Sequence, residues 1–132
     1  MNGKIVYLDT SAFVKLIVAE PESPALRRYL RRRGQPASAG LIRTEAVRTL
    51  KPHGATSVAT ARRAFNRMLL IRLNAGLLDR AGELEPLELR TLDAIHLAAA
   101  ESLGTDLGVI VAYDQRLVDA TTNLGLPVSS PS

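Results

Sequence analysis

Short apolar runs alternate along this chain with longer stretches whose apolar residues recur at helical spacing. The β-branched runs at residues 5–8 and 108–113 predict two buried strands. The small residues of 36–40 predict a third short strand, and 127–128 predict a last one. Leu77-Leu78, directly after a glycine, is a further candidate strand.

Helical spacing fills most of the intervals between these strands. The predicted helices cover residues 11–18, 23–33, 41–50, 56–73, 91–103 and 115–123. Pro21, Gly34, Pro52 and Gly125 mark the ends of four of them, and Thr91 is the expected cap of the fifth. The alternation of strands and helices predicts an α/β fold, a three-layer α/β/α sandwich with a mostly parallel central sheet.

Length and composition indicate one globular domain over residues 1–132. The chain is 46% hydrophobic and 23% charged, and no repeat or linker divides it. The absence of cysteine excludes disulfides and thiolate metal sites. The first apolar run, 5–8, is too short for a signal peptide or a membrane span. We therefore expect a soluble, cytoplasmic protein that does not contact a membrane.

Arginine dominates the basic residues and is concentrated in one segment. Of 17 lysines and arginines 14 are arginine, five of them in "LRRYLRRR" at 26–33, and the formal net charge is +4. Leu26 and Leu30 share one helix face while the arginines spread over the rest, which is typical of a solvated helix. We favour that interpretation, and contact with the phosphates of a polyanion is the alternative.

Four acidic residues are expected at one edge of the sheet. Asp9 and Asp114 directly follow the strands at 5–8 and 108–113, and the carboxyl ends of parallel strands are where ligands bind. Glu45 and Asp93 lie in the first turns of helices and can point to the same edge. Taken one at a time, the three aspartates are explained as helix caps or first-turn acids, and Glu45 as one side of a surface ion pair.

Together, these carboxylates favour a metal site. Three or four carboxylates at one strand edge would repel each other and be driven to protonate unless a cation compensates them. Oxygen ligands without histidine or cysteine suit Mg²⁺ or Mn²⁺. Such an ion can activate a water and neutralise a phosphodiester, and the arginine-rich surface would serve the same polyanionic substrate.

The amino-acid sequences of four segments resemble those of a known family. "YLDTSAFVKL" at 7–16, the lone Glu45, "LRTLDAIHLA" at 89–98 and "VIVAYDQRLVDAT" at 109–121 are similar to the signature segments of the PIN-domain ribonucleases. More narrowly, they resemble the VapC-type toxins of type II toxin-antitoxin modules. The resemblance covers nearly the whole chain in the same order, and its strongest piece is 89–98.

The resemblance implies a PIN-like fold and a metal-dependent endoribonuclease. Its acidic pocket would comprise Asp9, Glu45, Asp93 and Asp114, with Ser11 beside the metal-bound water. Asp9 and Asp93 would be the main ligands of Mg²⁺ or Mn²⁺, Glu45 would bind through water or orient the nucleophile, and Asp114 would complete the pocket. The resemblance also implies an RNA substrate, a cognate antitoxin that covers the pocket, and a homodimer.

Two observations qualify the site. Members of the family often carry threonine two residues before the last acid, where this chain has Ala112, so Asp114 is the weakest of the four assignments. His96 lies three residues after Asp93, and we interpret it as a packed helix residue in preference to a second ligand on the same metal.

Aromatic residues make up only 4% of the chain, so recognition of RNA would depend on phosphate charge more than on base stacking.

Two other functions start from the same residues. An aspartyl-phosphate phosphotransferase would use Asp9 as nucleophile, but it requires a second acid at the position of Ser11. A decayed PIN-like module would only bind RNA or protein, and Ala112 is the one departure in its favour.

Overall fold

The computed structural model describes residues 3–132 and contains one five-stranded sheet. All neighbouring strands are parallel, in the order β3-β2-β1-β4-β5. The strands are β1 (Ile5–Leu8), β2 (Gln35–Ala39), β3 (Leu69–Ile71), β4 (Leu107–Val111) and β5 (Val128–Ser129). The strands predicted at 5–8, 36–40, 108–113 and 127–128 are therefore present, with bounds that differ by at most two residues.

Seven α-helices cover this sheet. They are α1 (Thr10–Ile17), α2 (Ser23–Arg31), α3 (Ile42–Leu50), α4 (Ala55–Phe65), α5 (Ala75–Glu83), α6 (Thr91–Glu101) and α7 (Gln115–Asn123). Short 3₁₀ helices follow α3 at Lys51–His53 and precede β4 at Gly104–Asp106. Within residues 3–132 no helix is both long and apolar enough to cross a membrane.

The central strand β1 sends its side chains alternately into two cores, because successive residues of a strand point to opposite faces. Tyr7 packs with residues of α5, α6 and α7 on one face. Val6 and Leu8 pack with residues of α1 and α2 on the other. A third cluster joins α1, α3 and α4 beside that second face. The predicted three-layer α/β/α sandwich is confirmed.

The strand order places a topological switch point beside β1. The chain leaves β1 toward β2 and β3 on one side, and then crosses to β4 and β5 on the other. In open parallel sheets the loops after the two strands at such a point diverge and leave a crevice, which is where ligands bind. Asp9 follows β1 and Asp114 follows the end of β4, so two of the four predicted acids flank this crevice.

The predicted helix over 56–73 is too long. The spacing of Val58, Ala61 and Phe65 is helical as predicted, but α4 ends at Phe65, eight residues before the predicted end. The following apolar residues form β3, with Leu69 paired to Ala37 of β2. A continuous apolar run fits a strand packed on both faces as well as it fits a helix, so periodicity alone does not separate the two.

Two local predictions around α5 and α6 are also wrong. Leu77-Leu78 lies in α5, where Asn74 caps the helix by accepting a hydrogen bond of 2.8 Å from the backbone N–H of Leu77. Thr91 is the first residue of α6, whose cap position is Arg90 with no side-chain hydrogen bond. Gly125, in contrast, follows α7 as predicted and adopts the left-handed conformation at φ 81° that glycine tolerates.

Candidate active site

Four elements bring the four predicted acids to the carboxyl edge of β1 and β4. Asp9 precedes α1, Glu45 lies in the first turn of α3, Asp93 lies in the first turn of α6, and Asp114 precedes α7. Burial is the main cause of the raised pKa of Asp9 and of Asp93, and their neighbours' charges add to it: Asp93 raises the pKa of Asp9, and Asp114 and Glu45 raise the pKa of Asp93. Asp93 therefore lies close enough to each of the other three acids for their charges to interact.

Asp9 is both a helix cap and a buried acid. Its Oδ1 accepts hydrogen bonds of 2.8 Å from the backbone N–H of Ala12 and of 2.9 Å from the hydroxyl of Ser11. The side chain is only 4% exposed, and this burial raises its pKa against the opposing effect of the two hydrogen bonds. The capping interpretation and the functional one thus describe the same residue, and Ser11 donates to its carboxylate.

Asp114 also caps a helix. It accepts a hydrogen bond of 2.9 Å from the backbone N–H of Arg116 at the start of α7. The Ala112 methyl group is fully buried, and the carbonyl of Ala112 accepts a hydrogen bond of 2.5 Å from Ser130. No hydroxyl at position 112 supports Asp114, but the helix cap holds the carboxylate in place.

Glu45 is held by a network that joins β1, α1, α3 and α6. Its Oε1 accepts a hydrogen bond of 2.6 Å from the hydroxyl of Thr10 and lies 2.7 Å from Nε2 of His96. The other ring nitrogen of His96, Nδ1, lies 2.6 Å from the hydroxyl of Tyr7. Arg43 lies over the ring of Phe65, and the partner of Glu45 is His96, so the described residues do not form the surface ion pair that was the alternative explanation of Glu45.

The hydrogen-bond chemistry of this network fixes the proton positions for a neutral histidine. A carboxylate only accepts, so His96 donates from Nε2–H to Glu45 and its Nδ1 accepts from the Tyr7 hydroxyl. Burial raises the pKa of Tyr7, which keeps the phenol protonated as this arrangement requires. Burial opposes ionisation of Glu45, but the bonds from His96 and Thr10 outweigh it and lower the pKa of Glu45.

Sequence reasoning identified His96 as buried but missed its role. It is 2% exposed and packs on the helix, as predicted. Its two nitrogens, however, connect a core tyrosine to one of the four acids, so it positions Glu45 from outside the pocket. The available signals were a histidine one turn after Asp93 and a threonine beside Asp9. Nothing in the sequence shows that Tyr7, 89 residues away from His96, is the third member.

The donor set fits a hard divalent cation. Burial first, and then the charge of Asp114, raises the pKa of Asp93, and a cation would relieve both costs. Every acid in the set offers carboxylate oxygen, the ligand that Mg²⁺ and Mn²⁺ prefer. Among residues 3–132 no three Asp, Glu, His or Cys side chains are already spaced as ligands of one ion. Binding would therefore draw the carboxylates closer together.

The mutual repulsion in the pocket leads to a prediction for stability. Asp93 has a raised pKa, so it binds its proton more tightly in the folded chain, and the folded state loses stability as the pH rises through that pKa. Without metal, we expect Asp93→Asn to raise the thermal midpoint at pH 7 by roughly 2–5 °C. Solvent screening and the helix dipole keep the gain below about 1 kcal/mol.

Thermal unfolding with chelator at pH 7 and pH 4 measures this effect. The gain should be clearly smaller at pH 4, because about half of the aspartate is protonated in the unfolded chain at that pH. Asp119→Asn is the matched control, because Asp119 is exposed on α7 and bonded only to Gln115 at 2.7 Å among the described residues. A stabilisation of the Asp93 variant that is independent of pH would contradict the electrostatic explanation.

The family model and the two curated relatives that match this chain all indicate PIN-domain ribonucleases. The PIN domain family model matches residues 6–122. Ribonuclease VapC46 of Mycobacterium tuberculosis is 52% identical over 127 residues, which are 96% of this chain and 98% of that protein. Ribonuclease VapC47 of the same species is 35% identical over 132 residues, covering 96% of this chain and 97% of the relative.

Solved structures share the fold. The crystal structure of VapC20 from Mycobacterium tuberculosis, a toxin that cleaves the sarcin-ricin loop, superposes with a TM-score of 0.76 at 16% identity. The superposition covers 96% of this chain and 99% of the VapC20 chain. VapBC2 of Rickettsia felis, bound to a DNA fragment from its promoter, gives a TM-score of 0.68 at 13% identity and covers 97% and 99% of the two chains. At these identities the two structures support the architecture alone.

Proposed function

This chain belongs to the PIN-domain family and to its VapC-type ribonucleases, and from that membership we propose how its acidic pocket works. The protein is an endoribonuclease, the toxin of a toxin-antitoxin pair. We propose that its hydrolysis of RNA phosphodiester bonds depends on Mg²⁺ or Mn²⁺. The observation that carries the proposal is the convergence of four acids, from four separate elements, on the crevice at the switch point of the sheet.

Three aspartates would hold the ion. Asp9 and Asp93 are the main ligands in this proposal, and Asp114 completes the set from the other side of the crevice. Asp9 and Asp114 are fixed by helix N–H groups, so their carboxylates are oriented before a ligand arrives. A bound Mg²⁺ or Mn²⁺ would lower the pKa of a coordinated water and neutralise charge on the phosphate.

Glu45 orients the attacking water in this proposal. Both of its hydrogen bonds in the network are accepted by Oε1, which leaves Oε2 to accept a proton from water. The lowered pKa of Glu45 keeps it ionised for that purpose. Ser11 fixes the rotamer of Asp9 by donating to its carboxylate at 2.9 Å. The water oxygen would bond to phosphorus as one of its protons passes to Oε2 of Glu45, the bond from phosphorus to the leaving ribose oxygen would break, and that oxygen would take up a proton from solvent.

Metal dependence is the direct test of this proposal. We expect the purified protein to cleave a structured RNA with Mg²⁺ or Mn²⁺, to lose that activity when EDTA is added, and to regain it with excess Mn²⁺. The readout is the 5′ ends of the fragments, compared with and without chelator. Cleavage that continues unchanged in EDTA would contradict metal dependence. Metal-independent RNA binding without any cleavage would favour the decayed binding module.

Partners follow from the same family membership. We propose that a small antitoxin protein covers the acidic pocket and that the chain forms a homodimer through helical surfaces. Both proposals are supported by similarity to VapC proteins rather than by a contact within this chain. Light scattering of the purified protein measures the oligomeric state, and a monomer at micromolar concentration would contradict the dimer.

A further inference from the structure

A trough of about 610 Å³ lies along α2, on the side of the molecule that carries the arginine segment. Four guanidinium groups line it, together with Tyr29 and the C-terminal segment after β5. The arginines are Arg28, Arg31, Arg32 and Arg33. All four side chains are exposed, so the trough is open to a large ligand.

No acidic side chain of the described residues balances the positive charge of this arginine trough. Within residues 3–132 none of its four arginines takes part in an ion pair, and none of its lining residues has an acidic side chain. The two nearest acids in sequence, Glu20 and Glu22, are instead bound to the ammonium group of Lys15, at 3.2 and 3.0 Å. The trough therefore offers four guanidinium charges to a ligand.

One wall of the trough is joined to the catalytic edge. Pro131 lines the trough, and its carbonyl accepts a hydrogen bond of 2.8 Å from the hydroxyl of Tyr113, the residue before Asp114. Helix α2 runs back across the sheet, because it precedes the parallel strand β2. Its arginines are thus spread along the flank that leads away from the acidic pocket.

We propose that the arginine trough binds the phosphate backbone of the RNA substrate on one side of the cleaved bond. This inference rests on the proposed ribonuclease function. Guanidinium groups bind phosphate oxygens through two parallel hydrogen bonds, and a row of them follows a chain of phosphates. An acidic protein would also satisfy the charge, but protein interfaces are anchored by aromatic and arginine side chains that insert into well-packed pockets. Among residues 3–132 no leucine, isoleucine, valine, methionine or phenylalanine lines the trough, and its one aromatic ring, Tyr29, is covered by Arg33 at 4.3 Å, which leaves no free aromatic anchor for a protein.

Binding measurements on a non-cleaving background test this inference. The double variant Arg28→Gln/Arg32→Gln, made in Asp9→Asn protein, should bind a labelled single-stranded RNA about 10-fold more weakly. If each arginine contacts one phosphate, the slope of log K against log salt should become less negative by about 1.4 in this variant. The control is Arg62→Gln/Arg63→Gln on α4, which removes the same charge elsewhere and should change affinity less than about 2-fold.

Cleavage kinetics separate this inference from the proposed function. With the wild-type pocket, the trough variant should raise KM for a long RNA and leave kcat unchanged. Equal losses of RNA affinity in both double variants would mean that only the net charge of the protein matters, and would overturn the inference. Unchanged RNA affinity, with loss of binding to polyglutamate, would overturn it in favour of an acidic protein partner. Loss of RNA affinity in a protein that never cleaves RNA would refute the ribonuclease function and keep the trough as an RNA site.

Discussion

Replacing Asp9 with asparagine is expected to reduce metal-dependent RNA cleavage by more than about 100-fold while the protein stays folded. Loss of a residue that only supports a metal ligand costs about 10- to 100-fold in affinity or activity, and Asp9 is proposed as a ligand itself. Asparagine still accepts the hydrogen bond from the backbone N–H of Ala12, because it is as good a helix cap as aspartate. The substitution therefore removes the charge and keeps the cap.

Circular dichroism and kcat/KM for a structured RNA measure the two parts of this result. Asp119→Asn, an exposed aspartate of the same chain, controls for the loss of one negative charge. Binding of Mn²⁺, followed by calorimetry, should weaken in the Asp9 variant and stay unchanged in the control. Undiminished cleavage by Asp9→Asn protein would remove Asp9 from the site, whatever the metal binding shows.

The positions of the acids could be predicted because they depend on local sequence. Asp9 follows a short β-branched run that favours a buried strand, and Asp114 follows the clearest strand of the chain. Parallel strands bring their carboxyl ends to one edge, so the two aspartates had to share it. The boundaries of α7 follow in the same way from a capping aspartate at 114 and a stop at Gly125.

Features that depend on distant pairing were not accessible from the sequence. Strand order sets the switch point between β1 and β4, and no local pattern specifies which strands become neighbours. The strand β3 was mistaken for the end of a helix because three apolar residues gain their strand identity only from pairing with β2. A surface ion pair was the local alternative for Glu45, but its partner lies 51 residues away on α6.

His96 is the most consequential residue of that kind, because its two nitrogens have different partners. Nε2 bonds to Glu45 in the pocket, and Nδ1 bonds to Tyr7 in the core. The amide nitrogen of a glutamine side chain reaches about as far as Nε2 of histidine, and the polar end of asparagine reaches about as far as Nδ1. The two amide substitutions therefore separate the bond to the pocket from the bond to the core.

His96→Asn is expected to lower kcat/KM for RNA by about 10- to 100-fold, the usual effect of losing a residue that orients a metal-site carboxylate. His96→Gln should keep most of the activity, because it can still donate to Glu45, and Tyr7→Phe should resemble it. Urea denaturation should give similar losses of stability for the two His96 variants, since each removes a buried ring from the same position. Equal activities of the asparagine and glutamine variants would mean that His96 only packs, and that Thr10 alone holds Glu45 in place.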